Sequence, residues 1–307
     1  MFPLFKLNIA FMHHFNNNKT LLILNPRAGT RRLSNLMRQL EKFRNEFDYI
    51  NVSEIEDFRG FIKSKLDCYD TFIAVGGDGT VNSLASSLLA TDKILGVLPY
   101  GSGNGFAREM GFKRNIRTLS EDVKRKEYFG IDVLKINNST CINVAGVGID
   151  SFVAHSFHKR KIRGLWSYGV STIKAIRKLK PFEVSVRIND TVIEDLFYMV
   201  SVANTRQFGN DAFLAPQAKP DDGKYNVVLL KPFPKFFLPV FLFRLLNRTA
   251  KESEFVKYLE SENPGSILTK ETRFHIDGEP YHLTGEIKIE ILKNSLRILK
   301  TANKKNQ

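Results

Sequence analysis

The chain has 307 residues, 43% of them hydrophobic, and a formal net charge of +14. This length and composition predict a globular protein with room for two domains of ordinary size, and the positive charge favours an anionic partner. No stretch reaches the roughly 18 uninterrupted apolar residues that span a bilayer, which excludes a helical membrane-spanning protein. Cys68 and Cys141 lack metal-ligand spacing, so we expect buried thiols in a reducing, cytoplasmic setting.

Residues 1–18 are expected to be an extension outside the fold. Pro3, Lys6 and a polar run at 13–18 interrupt their apolar residues, and they contain no clear signal-peptide cleavage site. From 19 to 128, short apolar runs alternate with segments whose apolar residues recur at helical spacing. This alternation predicts an α/β domain with a doubly wound, mostly parallel sheet, which binds ligands beyond the carboxyl ends of its strands. The candidate strands are residues 21–24, 49–52, 71–75 and 94–98.

Three glycine-containing turns directly follow three of these strands. They are Asn25-Pro26-Arg27-Ala28-Gly29, Gly76-Gly77-Asp78-Gly79-Thr80 and Gly101-Ser102-Gly103-Asn104-Gly105. Glycine lets the backbone approach a polyphosphate without a Cβ atom in the way, and the helix that follows points unpaired N–H groups at the anion. A nucleotide is therefore the expected ligand.

From 129 to 300 the pattern changes to longer β-type runs, several of which alternate apolar and polar residues. The pattern predicts a second domain of mostly antiparallel strands, with helical insertions near 165–179 and 236–259 and a solvated tail at 301–307. The runs are residues 131–136, 140–144, 184–188, 197–202, 225–230 and 287–291.

The order of the three turns, extended by Asn82 and Pro99, closely resembles the diacylglycerol kinase catalytic domain family, which includes sphingoid-base and ceramide kinases. The resemblance continues through residues 143–150, 215–223 and 276–280, and so covers the chain from 20 to about 299. It implies an NAD-kinase/diacylglycerol-kinase-like α/β domain followed by an antiparallel β-sandwich, with ATP between them. The implied reaction is transfer of the γ-phosphoryl group to a lipid hydroxyl in the presence of Mg²⁺.

The resemblance also implies roles for residues in the turns. Asp78 would lie beside the triphosphate and engage Mg²⁺ directly or through water, while Thr80 would cap the next helix and donate to phosphate. A purely structural Asx turn is the alternative for Asp78. The implied ATP-binding residues are Asn25, Pro26, Arg27, Ala28, Gly29, Ser53, Gly76, Gly77, Asp78, Gly79, Thr80, Asn82, Gly101, Ser102, Gly103 and Asn104.

Two positions depart from the family pattern. Many bacterial relatives place a lysine after the first motif, where this chain has Thr30 followed by Arg31 and Arg32. The family usually has glutamate where this chain has Ser83. These departures support the alternative of a nucleotide-binding or membrane-binding homologue without activity, and a small-molecule kinase of the NAD kinase type is a further alternative.

The segment Asp277-Gly278-Glu279 resembles the family's catalytic turn. A carboxylate within hydrogen-bond reach of the lipid hydroxyl would accept its proton, and either Glu279, which we favour, or Asp277 could serve. An ordinary Asp-Gly hairpin turn is the structural alternative.

Two further acidic positions match family segments. The loop at 221–223 resembles a magnesium-holding loop, with the Asp222 side chain and the carbonyls of Lys219 and Lys224 as ligands; a solvated turn is the alternative. Asp150 could recognise the lipid substrate or serve as a helix cap. The sequence leaves the lipid open among diacylglycerol, a sphingoid base, ceramide and other hydroxylated lipids.

Reversible docking on an anionic membrane surface is expected of an enzyme that acts on a bilayer lipid. A basic cluster at 158–163 with further basic residues to Lys180 could attract headgroups, and a Phe-rich stretch at 233–243 could insert. A solvated basic face and a core-facing helix are the alternatives. An exposed sheet edge could support a homodimer. Nucleic-acid binding is not expected, because no RNA-binding motif or recognition helix accompanies the basic residues.

Overall fold

The computed structural model describes residues 19–26, 28, 33–159, 180–209 and 212–302. The predicted N-terminal extension, the helical insertion expected near 165–179 and most of the predicted tail lie outside these residues. No described helix is long and apolar enough to cross a bilayer. The helices are α1 Leu33–Leu40, α2 Phe58–Lys65, α3 Asp78–Leu88, α4 Gly105–Glu109, α5 Ile116–Arg125, α6 Ile149–Lys159 and α7 Leu238–Leu246.

The described strands form two large sheets and one small hairpin. The strands are β1 Thr20–Leu24, β2 Asp48–Asn51, β3 Thr71–Gly76, β4 Ile94–Pro99, β5 Tyr128–Ile136, β6 Ser139–Cys141, β7 Val144–Gly148, β8 Phe182–Ile188, β9 Thr191–Phe197, β10 Met199–Ala203, β11 Gln207–Gly209, β12 Ala212–Phe213, β13 Tyr225–Leu230, β14 Val256–Ser261, β15 Gly265–Thr269, β16 Arg273–Ile276, β17 Glu279–His282 and β18 Glu286–Leu299.

The first sheet has ten strands and begins in the order β2-β1-β3-β4. These four strands are parallel, and β1 and β3 are buried along their whole length. Apolar helix residues such as Leu36 and Leu84 cover them. Burial on both faces explains why these strands are continuous apolar runs instead of alternating ones. The predicted doubly wound α/β domain is confirmed.

The second sheet has the antiparallel order β14-β13-β10-β7-β16-β17. One of its faces packs against β5, β8, β15 and β18 of the first sheet, and the apolar layer between them includes Val186, Val202, Tyr225 and Phe274. Alternate residues of the same strands face the opposite way, where α6 and α7 cover them. This arrangement is the predicted antiparallel β-sandwich.

Strand β18 belongs to both halves of the molecule. Its first part pairs antiparallel with β15 of the sandwich, and its last part pairs parallel with β4 of the α/β domain. Its pairing with β5 shifts register between Leu292 and Leu296, where Asn294 has a φ of 48°. This bulge re-aims the strand from one half to the other.

Asp132 on β5 stabilises this bulge. Its side chain is buried, and its two carboxylate oxygens accept from the backbone N–H of Asn294 at 2.7 Å and of Gly223 at 2.6 Å. Its own N–H donates to the carbonyl of Pro220 at 2.6 Å. One carboxylate therefore ties the bulge of β18 to the loop that precedes β13.

The helical insertion predicted at 236–259 is wrong in its second half. Helix α7 ends at Leu246, and β14 begins at Val256 and pairs along its whole length with β13. Because β13 would otherwise present an unpaired edge, tertiary pairing outweighs the helical tendency of the segment.

We expect Asp132→Ala to destabilise the protein by about 2–4 kcal/mol, because two buried backbone N–H groups lose their acceptor. Urea unfolding followed by circular dichroism measures the change. The control is Asp190→Ala in the exposed turn between β8 and β9, which should stay within about 0.5 kcal/mol of wild type. Equal stability of the two variants would contradict the role given to Asp132.

Candidate active site

The three turns meet at the carboxyl ends of β1, β3 and β4. Asn25 donates its backbone N–H to the carbonyl of Val75 at 3.0 Å and its side-chain amide to Oγ1 of Thr80 at 2.9 Å. The N–H groups of Tyr100 and Gly101 both donate to the carbonyl of Gly76, at 2.8 and 3.0 Å. The parallel sheet therefore brings together the segments that sequence reasoning predicted to meet.

Close backbone contact explains the glycine at 101. A Cβ atom there would lie 2.4 Å from the Cα of Gly77, a distance that side chains do not tolerate. Asn104 holds the same turn closed: its Oδ1 accepts from the N–H of Gly101 at 3.0 Å and its Nδ2 donates to the carbonyl of Gly101 at 2.8 Å. Asn104 adopts the left-handed conformation with a φ of 53°, which asparagine tolerates better than most residues.

Asp78 belongs to the second turn, is the first residue of α3, and faces the third turn. Its Oδ1 accepts from the N–H of Phe106 at 3.4 Å, at the start of α4. Burial and the charge of Asp277 together raise the pKa of Asp78 to about 6, although hydrogen bonds from backbone N–H groups of the third turn lower it in part. The carboxyl group is therefore held where an ionised acid is disfavoured in the absence of a cation.

Thr80 does not cap α3, contrary to the sequence-based expectation. The N-cap is Gly77, which supplies no side-chain hydrogen bond, and Thr80 is already the third helical residue. Its Oγ1 accepts from Asn25, so the hydroxyl proton can be directed elsewhere.

Asp277 is buried between the two halves of the molecule. Its carboxylate accepts from the N–H groups of Ile142, Asn143 and Val144, at 3.0, 2.8 and 3.1 Å, and from the side-chain amide of Asn82 at 2.6 Å. Burial raises its pKa, while these donors act in the opposite direction. These donors occupy the oxygens of the carboxylate. Asp277 is therefore better placed to hold the two domains together than to accept a proton from a substrate.

Glu279, two residues later, is exposed and extends toward the glycine turns. A Cβ atom on Gly79 would lie 2.9 Å from Oε1 of Glu279. The acidic turn of the second domain and the Gly-Gly-Asp-Gly-Thr turn of the first therefore face each other across one cleft.

The other predicted nucleotide-site residues lie on the same edge of the sheet. Ser102 is exposed, and a Cβ atom on Gly103 would lie 3.0 Å from Oδ2 of Asp78. Ser53 is exposed in a short 3-10 turn after β2. Pro26 is exposed and Ala28 half-buried in the first turn, whereas Arg27, Gly29, Thr30, Arg31 and Arg32 lie outside the described residues.

Asn82 and Ser83 make protein contacts that their sequence context did not predict. Asn82 Nδ2 donates to Asp277 and to the carbonyl of Thr140 at 2.8 Å, so both amide hydrogens are used between the domains. Ser83 Oγ donates to the carbonyl of Gly79 at 2.9 Å, within its own helix. A nucleotide contact by Asn82 stays a prediction.

Asp150 begins α6 but is buried beneath it. Its carboxylate accepts from the N–H of Ser151 at 2.7 Å and from the hydroxyl of Ser201, and its Oδ2 lies 3.1 Å from Nε2 of the fully buried His275. His275 Nδ1 accepts from the N–H of Gly278 at 3.4 Å. Asp150 therefore connects the start of α6 with the acidic turn.

The loop predicted to hold a second magnesium ion is closed by local hydrogen bonds. Asp222 Oδ1 accepts from the N–H of Lys224 at 3.0 Å, and the Lys224 ammonium pairs with Glu260 at 2.6 Å. Desolvation raises the pKa of Asp222, and the charges of Glu260 and Asp132 add to this. A cation beside Asp222 would relieve that repulsion, and the backbone carbonyls of Lys219 and Lys224 are oxygen donors of the kind Mg²⁺ prefers.

Among the residues that the structure describes, no group of three or more His, Cys, Asp or Glu side chains is arranged to hold a metal ion. A divalent cation at Asp78 would therefore depend on oxygen atoms of the nucleotide or water, as is usual for Mg²⁺ bound with phosphates.

Sequence reasoning missed Asp132 and His275. Each interrupts a short apolar run in a strand, Asp132 between Ile131 and Val133 and His275 between Phe274 and Ile276. Both side chains are buried and hydrogen-bonded, but a polar residue between two apolar ones is equally the pattern of a strand with one solvated face, so local sequence could not identify either.

Comparison with known proteins matches both halves of the chain to family models. Residues 19–136 match the diacylglycerol kinase catalytic domain, and residues 143–299 match the YegS C-terminal NAD kinase beta sandwich-like domain. A Staphylococcus haemolyticus protein named "Putative lipid kinase SH2167" is 29% identical over 243 residues, which are 75% of this chain and 76% of the relative. A Shewanella frigidimarina protein named "Probable lipid kinase YegS-like" is 25% identical over 236 residues, or 74% and 75% of the two chains.

The fold has a solved counterpart. The crystal structure of a protein from Bacillus anthracis described as a "putative diacylglycerol kinase" superposes with a TM-score of 0.77 at 23% identity, covering 93% of this chain and 98% of that one. The α/β domain, the β-sandwich and the facing turns define a kinase of the two-domain type. The chain belongs to the diacylglycerol kinase catalytic domain family.

We expect Asp78→Asn to stabilise the ligand-free protein, because it removes a carboxylate whose ionised form is disfavoured by burial and by the charge of Asp277. An acid whose pKa rises on folding lowers stability as pH increases from its unfolded value near 4 to about 6, so the gain should appear over that interval and reach about 2–3 kcal/mol at pH 8. Thermal unfolding at pH 4, 6 and 8 measures it. The control is the exposed Asp67→Asn, and a gain that does not grow with pH would contradict the argument.

Proposed function

We propose that this protein is an ATP-dependent lipid kinase that transfers the γ-phosphoryl group of ATP to a lipid hydroxyl, of the diacylglycerol or sphingoid-base type. The observation that carries the proposal is the position of Glu279, whose carboxylate reaches across the cleft to the Gly-Gly-Asp-Gly-Thr turn. An acceptor hydroxyl between these two regions would lie beside both a phosphate-binding backbone and an exposed carboxylate.

The first domain would hold the triphosphate. The N terminus of α3 has no side-chain cap, and its N–H groups together with the closely packed turns at Gly77 and Gly101 can approach phosphate oxygens. Mg²⁺, when bound with ATP, would supply the countercharge that phosphoryl transfer needs. Asp78 fits this cation because burial and the charge of Asp277 raise its pKa, and a cation nearby would favour the ionised carboxylate.

The second domain would supply the proton acceptor, and we assign that role to Glu279. Asp277 receives hydrogen bonds from three backbone amides and Asn82, which suits it to orient the turn that carries Glu279. A general base must reach the hydroxyl that loses its proton, and the exposed carboxylate of Glu279 can do so. Glu279 thus acts on the substrate, whereas Asp277 fixes the geometry.

Asp150 would influence which lipid is accepted indirectly, through the residues that it holds in place. Its carboxylate is buried against Ser201 and His275, so it would shape the wall of the acceptor site and hold α6 against the acidic turn.

The direct test incubates the purified protein with labelled ATP, Mg²⁺ and a mixed lipid extract, and identifies the labelled product by mass spectrometry. A phosphorylated lipid is the expected product. Label in a nicotinamide dinucleotide added in parallel, with none in lipid, would instead support the NAD kinase alternative, and label in neither would support an inactive homologue.

We expect Glu279→Gln to lower kcat by about 10²–10⁴-fold, the usual contribution of a general base, with little change in the KM for ATP. Steady-state rates with varied ATP and with the lipid identified above measure both constants. The control is Glu286→Gln, an exposed residue at the start of β18. A kcat within threefold of wild type would rule out Glu279 as proton acceptor.

We expect millimolar Mg²⁺ to raise the Tm of the wild-type protein in the absence of ATP, and Asp222→Asn to reduce this shift by at least half, because ligand binding stabilises the folded state. Differential scanning fluorimetry measures both shifts. The neighbouring Asp221→Asn serves as the control, since Asp221 is also exposed. Identical shifts in both variants would show that the loop does not bind the cation.

A further inference from the structure

Helix α7 and the turn before it are apolar on two opposite faces. On the inner face, Phe233 and Phe241 are buried, with Phe237 and Leu245 packed beside them. On the outer face, Phe236 is 81% exposed and Phe243 is 64% exposed. A surface helix of a globular protein normally has one apolar and one polar face, so the outer face requires an explanation.

The exposed apolar side chains of α7 form one surface, which we call the α7 face. It consists of Phe236, Val240, Phe243 and Leu246, spaced by three or four residues and therefore on one side of the helix. The described residues include eight exposed large hydrophobic side chains, and four of them belong to this face. The other four, Tyr128, Val192, Leu196 and Leu268, lie on strands elsewhere. Such clustering marks an interaction surface more than ordinary surface composition.

Basic residues outnumber acidic ones along the segment that carries the α7 face, and the exposed Glu252 and Glu254 follow directly after it. Residues 231–251 contain no Asp or Glu, and their basic residues are Lys231, Lys235, Arg244, Arg248 and Lys251. Lys231 pairs with Asp195 at 2.6 Å, whereas Arg248 and Lys251 are exposed and flank the end of the helix. An apolar stripe bordered by cations is the pattern of a segment that lies in the interface of an anionic bilayer.

Aromatic contacts on the inner face attach α7 and the turn before it to the sandwich, among them that of Phe241 with Phe233 at 6.1 Å. Phe233 makes edge-to-face contacts with Tyr198 and Phe237, at ring distances of 5.3 and 5.5 Å, and Phe237 packs on Phe255 at 4.9 Å. The outer side chains can therefore enter a lipid phase without unpacking the core that lies beneath them.

We propose that the α7 face docks the protein on an anionic lipid bilayer, with Phe236 and Phe243 inserted among the headgroups. The proposal deepens the lipid-kinase proposal, because a lipid acceptor resides in such a bilayer. A second copy of this chain is a weaker candidate occupant, since a symmetric dimer would bring the same basic residues toward each other.

The binding test is flotation of the full chain with vesicles of phosphatidylcholine alone or mixed equally with phosphatidylglycerol. Wild type should float with the anionic vesicles, and Phe236→Ser/Phe243→Ser should reduce the bound fraction at least fivefold. The matched control, Val192→Ser/Leu268→Ser, removes two apolar side chains of similar exposure on other elements and should bind like wild type. Wild-type binding by the α7 variant, with its melting curve unchanged, would overturn the proposal.

An activity comparison separates docking from chemistry. With a short-chain lipid acceptor dispersed in detergent, the α7 variant should keep wild-type kcat, and with the acceptor in anionic vesicles it should lose most of its rate. Absence of product in every assay while vesicle binding persists would defeat the kinase proposal and leave the docking surface standing.

Two further measurements deal with misfolding of the double variant and with dimer formation. If the double variant misfolds, the single substitutions Phe236→Gln and Phe243→Gln are used in the same flotation assay, with the same threshold of reduced binding for each. Light scattering after size exclusion tests the rival occupant: a wild-type dimer that becomes a monomer in the α7 variant would assign this face to self-association and overturn docking on a bilayer.

Discussion

The hydrogen bonds to the buried carboxylate of Asp277 are the constraint on which the geometry of the cleft depends. This side chain receives Asn82 from α3 of the first domain and three successive backbone amides of the second, so it fixes one domain against the other. The turn that carries Glu279 begins at the same residue, and His275 supports that turn from the opposite side. Burying an ionised group without hydrogen-bond partners is very costly in free energy. Loss of either the donors or the carboxylate would therefore leave the other buried and unpaired.

The same region concentrates negative charge before any ligand arrives. Burial raises the pKa of Asp78, and the nearby charge of Asp277 raises it as well. A divalent cation bound beside such carboxylates would favour their ionised forms and relieve the repulsion between them. The glycines of the facing turns keep the cleft open, because a side chain at these positions would occupy the space between the turns.

Local signals predicted much of this molecule. The apolar runs before Asn25, Gly76 and Gly101 became parallel strands, and strand direction alone placed their turns together. The crossing of β18 between the two sheets could not be inferred, because the pairing of Arg297 with Ile94 joins distant parts of the chain. The segment after Leu246 has a helical pattern, but its second half forms a strand because it pairs with the edge of β13. Asp150 is buried against His275, and the two residues are too far apart in sequence for a local pattern to predict their contact.

The shared strand also has a consequence for synthesis of the protein. Until residues 286–299 leave the ribosome, β4 pairs with β3 alone, and its other edge exposes backbone hydrogen-bonding groups of an apolar strand. The α/β domain therefore lacks this strand until residues 286–299 are synthesised, although its own residues come first. Nascent chains that stop before this point should therefore aggregate readily through the unpaired edge of β4, and chaperones that cover such edges should bind them.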